Sequence, residues 1–183
     1  MSDKKSVLFV TYGGGHVNMV LPVYKYIYEN FKDIQTYCLA LTTAKSVIEK
    51  AGLPSLSFKD FLFEEDTDAL QYGKALADKY HMSNQIMSYD ESVAYLGLSY
   101  ADLVIQHGKK HAKILFDTKG RHAFYPITFM GRVLKKINPN MVVTTNSPRA
   151  EKAAIDVAKK MCIPTLSMVD LFGIGHFVNL EAD

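Results

Sequence analysis

A glycine-rich segment that ends in a histidine carries the strongest chemical signal in the sequence. Gly13, Gly14 and Gly15 precede His16, and Asn18 follows. Glycines between a strand and a helix let the backbone turn tightly and approach a ligand, and the helix N-terminus offers amide donors to an anion or a sugar hydroxyl. We predict a ligand site at this segment; a tight turn with a solvent-facing His16 is the alternative.

Three common catalytic or nucleotide-binding motifs do not fit the sequence. No Gly-Lys-Ser/Thr follows the glycines, as a phosphate-binding P-loop requires. The third glycine of the dinucleotide fingerprint is missing, and the end of the second predicted strand, Ala40-Leu41-Thr42, includes no acid for a ribose hydroxyl. The Gly-x-Ser-x-Gly elbow of hydrolases does not occur. We therefore expect no resident cofactor.

Polar and charged residues also follow the later predicted strands. They are Thr145, Asn146, Ser147, Arg149 and Asp170. Ser147 is a predicted helix N-cap with Pro148 at the first helical position, so it offers a second helix N-terminus to an anion. Ligands of open α/β sheets bind at the carboxyl ends of the strands, so we expect this set near His16. Arg121 and His122, from the middle of the chain, are further candidates for lining a ligand pocket.

Two patterns that resemble metal motifs have simpler interpretations. Asp66-Thr67-Asp68 matches the D-x-D motif, but it lies among other acids before a predicted helix, where acids favour the helix dipole. His107 and His111 are four residues apart, yet no His-Glu-x-x-His motif and no obvious third ligand accompany them. We interpret the first pattern as a helix cap and the second as a solvated helix face, and we expect no metal site.

The elements that must position these residues follow an α/β pattern in the first third of the chain. A continuous apolar run predicts a buried strand over 6–12, and apolar residues spaced as on one helix face predict a helix over 17–31. Pro22 should lie in the first turn of that helix or kink it. A strand over 34–41, a helix over 42–50 and a short strand over 53–58 complete a βαβαβ unit.

The middle of the chain predicts a helical insertion over about 59–137. Its predicted helices cover 69–80, stretches within 90–119, and 126–137. The α/β pattern then resumes with a strand over 141–145, a helix that ends at Met161 and a strand over 163–169. The predicted fold class is α/β, a Rossmann-like three-layer domain with a mostly parallel sheet and a helical insertion.

Length and composition set limits on the kind of protein. With 183 residues the chain corresponds to one domain, 1–183, and its 48% hydrophobic and 22% charged residues are typical of globular proteins rather than disordered ones. Lys and Arg total 21 against 19 Asp and Glu, a balance that gives no argument for nucleic acid as a partner. The only cysteines, Cys38 and Cys162, fit a reduced compartment. The apolar run near the amino terminus is too short for a signal peptide, so we expect a cytoplasmic protein.

Several of these segments resemble a known family. Gly14-Gly15-His16-Val17-Asn18, Leu21-Pro22 and Ala51-Gly52 resemble the amino-terminal domain of GT-B glycosyltransferases, a group that includes the UDP-glycosyltransferases, the macrolide glycosyltransferases and the peptidoglycan N-acetylglucosaminyltransferase. The block from Val142 to Pro164, with Asp170-Leu171-Phe172, resembles the same domain in bacterial polysaccharide enzymes. The resemblance covers somewhat under half of the chain and leaves out the helical middle.

The resemblance implies roles for single residues. His16 matches the histidine that deprotonates the acceptor hydroxyl in many of these enzymes. The natural-product enzymes orient that histidine with an aspartate at a later strand end, but here the strand ends Thr144-Thr145-Asn146. Thr145 or Asn146 could hold the imidazole through a neutral hydrogen bond, or Asp170 could reach it. In the peptidoglycan enzyme the glycine-rich loop cradles the acceptor diphosphate, which implies acceptor binding here as well.

The resemblance also implies a function. The implied function is that of the acceptor-binding domain or subunit of a glycosyltransferase. Such an enzyme transfers a sugar from a nucleotide sugar to a glycan or lipid-linked acceptor in bacterial surface polysaccharide synthesis. The nucleotide sugar is the donor substrate. We expect a carboxyl-terminal donor-binding domain or a separate subunit to complete the site, with peripheral association at the inner face of the membrane left open. A non-catalytic ligand-binding or scaffold subunit, and part of a sugar-nucleotide epimerase, are the alternatives.

Overall fold

The computed structural model describes residues 4–80, 87–146 and 149–169. Its centre is a sheet of four parallel strands, ordered β2-β1-β3-β4. The strands are β1 (Lys5–Thr11), β2 (Ile34–Ala40), β3 (Met141–Thr145) and β4 (Thr165–Met168). The apolar runs of β1 and β3 are buried because helices cover both faces of the sheet.

Side chains that alternate along β1 enter two separate cores. Leu8 and Val10 pack into the larger core, whereas Phe9 enters the smaller one on the opposite face. All three side chains are fully buried. Alternation with a period of two directs successive side chains to opposite faces, so the two cores are the signature of a three-layer fold. The predicted fold class is therefore confirmed.

The smaller core is covered by α1 (Gly15–Asn30) and α2 (Ala44–Lys50). Val17, Val20 and Tyr24 form the buried stripe of α1, as the spacing predicts. Pro22 lies in the interior of α1, so the first of its two expected alternatives, a place in the first turn, is wrong, and the kink stays a prediction.

The short strand predicted over 53–58 does not form. Leu56 makes a single parallel bridge with Leu39 of β2, and the chain then turns away from the sheet. The cause is a capping box, in which the Ser57 backbone amide donates to Asp60 Oδ2 at 2.7 Å and a 3-10 helix starts at Phe58. The sheet thus has β2 at its edge, extended only by this bridge.

The helical section between β2 and β3 contains α3 (Thr67–Tyr80) and α4 (Tyr89–Lys119). These two helices meet through glycines: a Cβ on Gly73 would lie 2.2 Å from the Val93 carbonyl oxygen, and one on Gly97 would lie 2.1 Å from that of Ala69. No side chain fits at either position, so the backbones of α3 and α4 approach each other closely and fix the pair.

Helix α4 is broken at Gly108, which has φ 74° and ψ 155°. A straight helix would separate Tyr95 from Lys119 by about 36 Å, at 1.5 Å per residue. The two residues instead line one cavity, and the rings of Tyr100 and Phe116 lie 5.5 Å apart across the break. The second half of α4 therefore folds back along the first.

Two helices complete the larger core, α5 (Ile127–Ile137) and α6 (Ala150–Lys160). The buried carboxylate of Asp102 accepts from the backbone amides of Thr128 and Phe129 at the start of α5, and its burial raises the pKa of Asp102. Arg149 occupies the N-cap position of α6, so the prediction of Ser147 as its N-cap is wrong. In the described part of the chain, none of the helices combines the length and the hydropathy that a membrane span requires.

Candidate functional site

The glycine-rich segment lies where β1 ends and α1 begins, and its three glycines have different reasons to be glycine. A Cβ on Gly13 would lie 1.5 Å from Thr43 Oγ1 and 2.8 Å from Thr43 Cβ. Gly14 has φ 70°, a conformation that favours glycine. Gly15 meets nothing within 4 Å among the described residues and has no positive φ. The fold therefore requires Gly13 and Gly14, whereas Gly15 leaves open space for a ligand.

His16 contacts the end of β3 across the sheet edge. Its Nδ1 lies 2.8 Å from Thr145 Oγ1. The Thr145 hydroxyl in turn donates to Glu151 Oε2 at 2.6 Å, and the Tyr12 backbone amide donates to Glu151 Oε1 at 2.8 Å. His16 is half-buried, while Thr145 and Glu151 are completely buried. We call the chain of His16, Thr145 and Glu151 the histidine relay.

The direction of these hydrogen bonds fixes which nitrogen of His16 holds the proton. Because Thr145 gives its proton to Glu151, its oxygen can only accept from His16. Nδ1 of a neutral His16 is then the protonated nitrogen, and Nε2 keeps the lone pair. A ring held in this tautomer is oriented to accept a proton at Nε2, as a general base must.

Glu151 is the member of the relay to which sequence reasoning gave no role. It lies in the first turn of α6, six residues after Thr145, and carries the carboxylate that the strand end itself lacks. The expected alternatives for holding His16 were Thr145, Asn146 and Asp170. The structure places Thr145 at His16, Asn146 half-buried next to it in sequence, and Asp170 outside the described residues.

The other predicted acceptor-binding residues divide into three groups. Asn18 is exposed near the start of α1. Ser147 lies outside the described residues, as does Pro148. Arg121 and His122 lie in a 3-10 helix, Gly120–Ala123, which brings them to the same cavity as Arg149.

This cavity, of about 530 Å³, lies between the carboxyl edge of the sheet and the end of α4. Tyr12 and Tyr95 contribute to its wall, and Arg149 lies over the Tyr12 ring at 4.8 Å from the centroid. Burial raises the pKa of both tyrosines, so their hydroxyls stay protonated at neutral pH. The helical section thus supplies one wall of a cavity that opens beside the glycine-rich segment.

The structure shows what surrounds Asp66-Thr67-Asp68 and the pair His107 and His111, the two patterns that resemble metal motifs. Asp66 directly precedes α3, and its carboxylate accepts two hydrogen bonds from Arg132, at 2.5 and 2.7 Å, and one from the Phe63 amide. The rings of His107 and His111 are exposed, with centroids 6.5 Å apart. Within the described ranges, no three His, Cys, Asp or Glu side chains gather as a metal site would require.

Comparisons with known proteins give structural neighbours at low similarity. One is S. aureus MnaA in a structure with UDP, with a TM-score of 0.47 and 11% identity over 90% of this chain and 29% of that one. Another is a UDP-GlcNAc 2-epimerase from Methanocaldococcus jannaschii, with a TM-score of 0.46 and 12% identity over 95% of this chain and 34% of that one. The chain thus spans about a third of the length of these structures. No protein-family model and no curated protein matches the sequence.

Proposed function

We propose that the chain is the acceptor-binding domain or subunit of an enzyme that acts on nucleotide sugars, with glycosyl transfer as the reaction. The observation that carries the proposal is the histidine relay. His16 lies directly after the glycine-rich segment, and its Nδ1 contacts Thr145, which is anchored on the buried Glu151. The relay holds the imidazole in the tautomer that leaves the lone pair of Nε2 to accept a proton, as a general base requires.

The proposed reaction is a direct displacement. Nε2 of His16 takes the proton of an acceptor hydroxyl as that oxygen bonds to the anomeric carbon of the nucleotide sugar. The bond from that carbon to the diphosphate oxygen breaks, and the nucleoside diphosphate leaves with the electron pair. A further domain or a separate subunit holds the donor, so proximity in the cleft between the two parts contributes much of the rate.

A sugar-nucleotide epimerase is the second candidate. It needs a proton acceptor beside a bound nucleotide sugar, which the same His16 geometry provides. Of the two solved structures above, one is a UDP-GlcNAc 2-epimerase and the other holds UDP. The two candidates differ in their need for an acceptor, because an epimerase converts the nucleotide sugar alone.

The deciding experiment follows UDP-N-acetylglucosamine by proton NMR with the chain alone and with its donor-binding partner supplied. Transfer predicts UDP release that depends on an added acceptor and is lost in His16→Ala. The matched control is His107→Ala, which removes an exposed histidine outside the site and should leave turnover unchanged. Undiminished transfer in His16→Ala would refute the base role. An epimerised sugar without acceptor would select the second candidate, and binding without turnover in any pairing would select a scaffold.

A further inference from the structure

The cavity beside the glycine-rich segment is lined by basic side chains from separate parts of the chain. Lys119, Arg121 and His122 come from the end of α4 and the 3-10 helix after it, and Arg149 comes from the start of α6. No aspartate or glutamate lines it among the described residues. We call this space the basic cavity.

Among the residues that the structure describes, the positive charges of the basic cavity have no carboxylate within ion-pair distance. Each ion pair formed by the described residues lies elsewhere, and none includes Lys119, Arg121 or Arg149. Arg149 instead lies over the ring of Tyr12. Cations that line a concave surface without partners reinforce one another's field and raise the local concentration of anions.

Neutral donors add to this field. The hydroxyls of Tyr12 and Tyr95 stay protonated and share a hydrogen bond, so the second of their two protons remains to be donated to an anion without a competing charge. Guanidinium groups pair with phosphate oxygens through two parallel hydrogen bonds, and two arginines are present. The combination suits a phosphate better than a carboxylate, since a phosphate offers more acceptor oxygens.

The size of the basic cavity indicates a ligand larger than a single phosphate. Its volume of about 530 Å³ lies within the range of pockets that hold organic ligands, roughly 300–1,000 Å³. We infer that the basic cavity binds a sugar that carries a phosphate or diphosphate. The sugar part of this inference rests on the proposed function, whereas the phosphate part rests on the cavity alone.

The test is calorimetric titration of the full chain with four probes: pyrophosphate, N-acetylglucosamine 1-phosphate, UDP and uncharged N-acetylglucosamine. We expect saturable binding of the sugar phosphate, weakened about tenfold in Arg121→Gln and in Lys119→Gln, or about 1.4 kcal/mol each. The matched control is Lys110→Gln, which removes the same charge from an exposed position of α4 outside the cavity. Comparison of UDP with the sugar phosphate shows whether the phosphate belongs to a nucleotide or to an acceptor.

Three results would overturn the inference. They are equal weakening in Lys110→Gln, equal binding of the uncharged sugar, and no saturable binding of any anion. The same titration in His16→Ala separates this inference from the proposed function, because His16 does not line the basic cavity. Anion binding that survives in His16→Ala while turnover is lost supports both. Anion binding that is lost in Arg121→Gln while turnover stays full would leave the phosphate site standing and refute the bound sugar as the substrate of the proposed reaction.

Discussion

The hydroxyl of Thr145 donates a 2.6 Å hydrogen bond to the carboxylate of Glu151, and both residues are completely buried. This bond sets the role of Thr145 toward His16, because a hydroxyl that has given away its only proton can act there only as an acceptor. The tautomer of His16 therefore depends on a carboxylate that it does not touch.

Replacing Thr145 by valine should release His16 from its fixed tautomer. The side chain keeps its shape, but the oxygen that accepts from Nδ1 is lost. We expect the fraction of the Nδ1-protonated ring to fall, as seen in two-dimensional nitrogen–proton NMR, and turnover to fall about tenfold, the value of one neutral hydrogen bond.

Thr144→Val is the matched control for this substitution. Thr144 is the preceding residue of β3, also fully buried, and its Oγ1 has no hydrogen-bond partner among the described residues. Loss of the Thr144 hydroxyl should leave the His16 tautomer unchanged, and the free energy of unfolding should stay equal or rise. If both valine variants gave the same spectrum as the parent protein, the relay would not control the tautomer.

Replacing Glu151 by glutamine should destabilise the fold. Oε1 accepts from the Tyr12 amide and Oε2 from Thr145, and a glutamine amide can accept at only one of these positions. We expect a loss of about 1–3 kcal/mol in the free energy of unfolding, measured by urea denaturation. Glu64→Gln, the same change at an exposed position, should cost nothing measurable. Equal stability of the two variants would contradict the anchoring role of Glu151.

Alanine at Gly13 and at Gly15 should have opposite consequences. At Gly13 the new methyl group collides with Thr43, so we expect a loss of about 1–3 kcal/mol on urea denaturation. At Gly15 it meets only open space, so stability should stay the same or rise by up to about 1 kcal/mol while ligand affinity falls. Unchanged affinity in Gly15→Ala would show that no ligand approaches the backbone at this position.

The Asp66–Arg132 pair should make stability depend on acid pH. The hydrogen bonds from Arg132 lower the pKa of Asp66 below its ordinary value of 3.8. The ionised carboxylate therefore stabilises the folded state above that pH, and the contribution disappears as the pH falls through the lowered pKa. We expect Asp66→Asn to cost about 1–2 kcal/mol at neutral pH and less at pH values below 3.8.

Urea denaturation at several pH values measures this difference. Asp68→Asn, an exposed carboxylate in the first turn of α3, serves as the control and should show a smaller cost. A cost of Asp66→Asn that stays constant down to strongly acid pH would exclude the ion pair as its source.

The sequence allowed the sheet to be predicted well where strands are continuous apolar runs. The prediction for β1 is displaced by one residue and that for β3 agrees with the observed bounds. Such runs are buried on both faces in a parallel sheet, and few other elements require them. The strand predicted over 53–58 was wrong because Leu56 and Phe58 are apolar for different reasons. Leu56 makes a bridge with β2, whereas Phe58 enters the larger core from a 3-10 helix.

The site was predictable only in part, because its key contacts join distant segments. The glycine-rich segment could be recognised from the sequence, because consecutive glycines have distinctive local backbone properties. Thr145 was one of three candidates for holding His16. Glu151 meets Tyr12 across 139 residues of chain, and nothing in the spacing of either residue reveals that contact. The convergence of Arg121 and Arg149 on one cavity likewise depends on how α4 folds back, which helix periodicity alone does not show.

Because α4 folds back at Gly108, the number of residues in each of its two arms determines where the side chains that line the basic cavity are placed. Each residue added to or removed from either arm of α4 would shift the end of that arm by 1.5 Å along its axis and rotate it by about 100°. Lys119 and Arg121 would then point elsewhere, although no residue of the sheet had changed. Insertions and deletions in these arms could therefore diversify what the cavity accepts, while the sheet edge and its histidine stay constant.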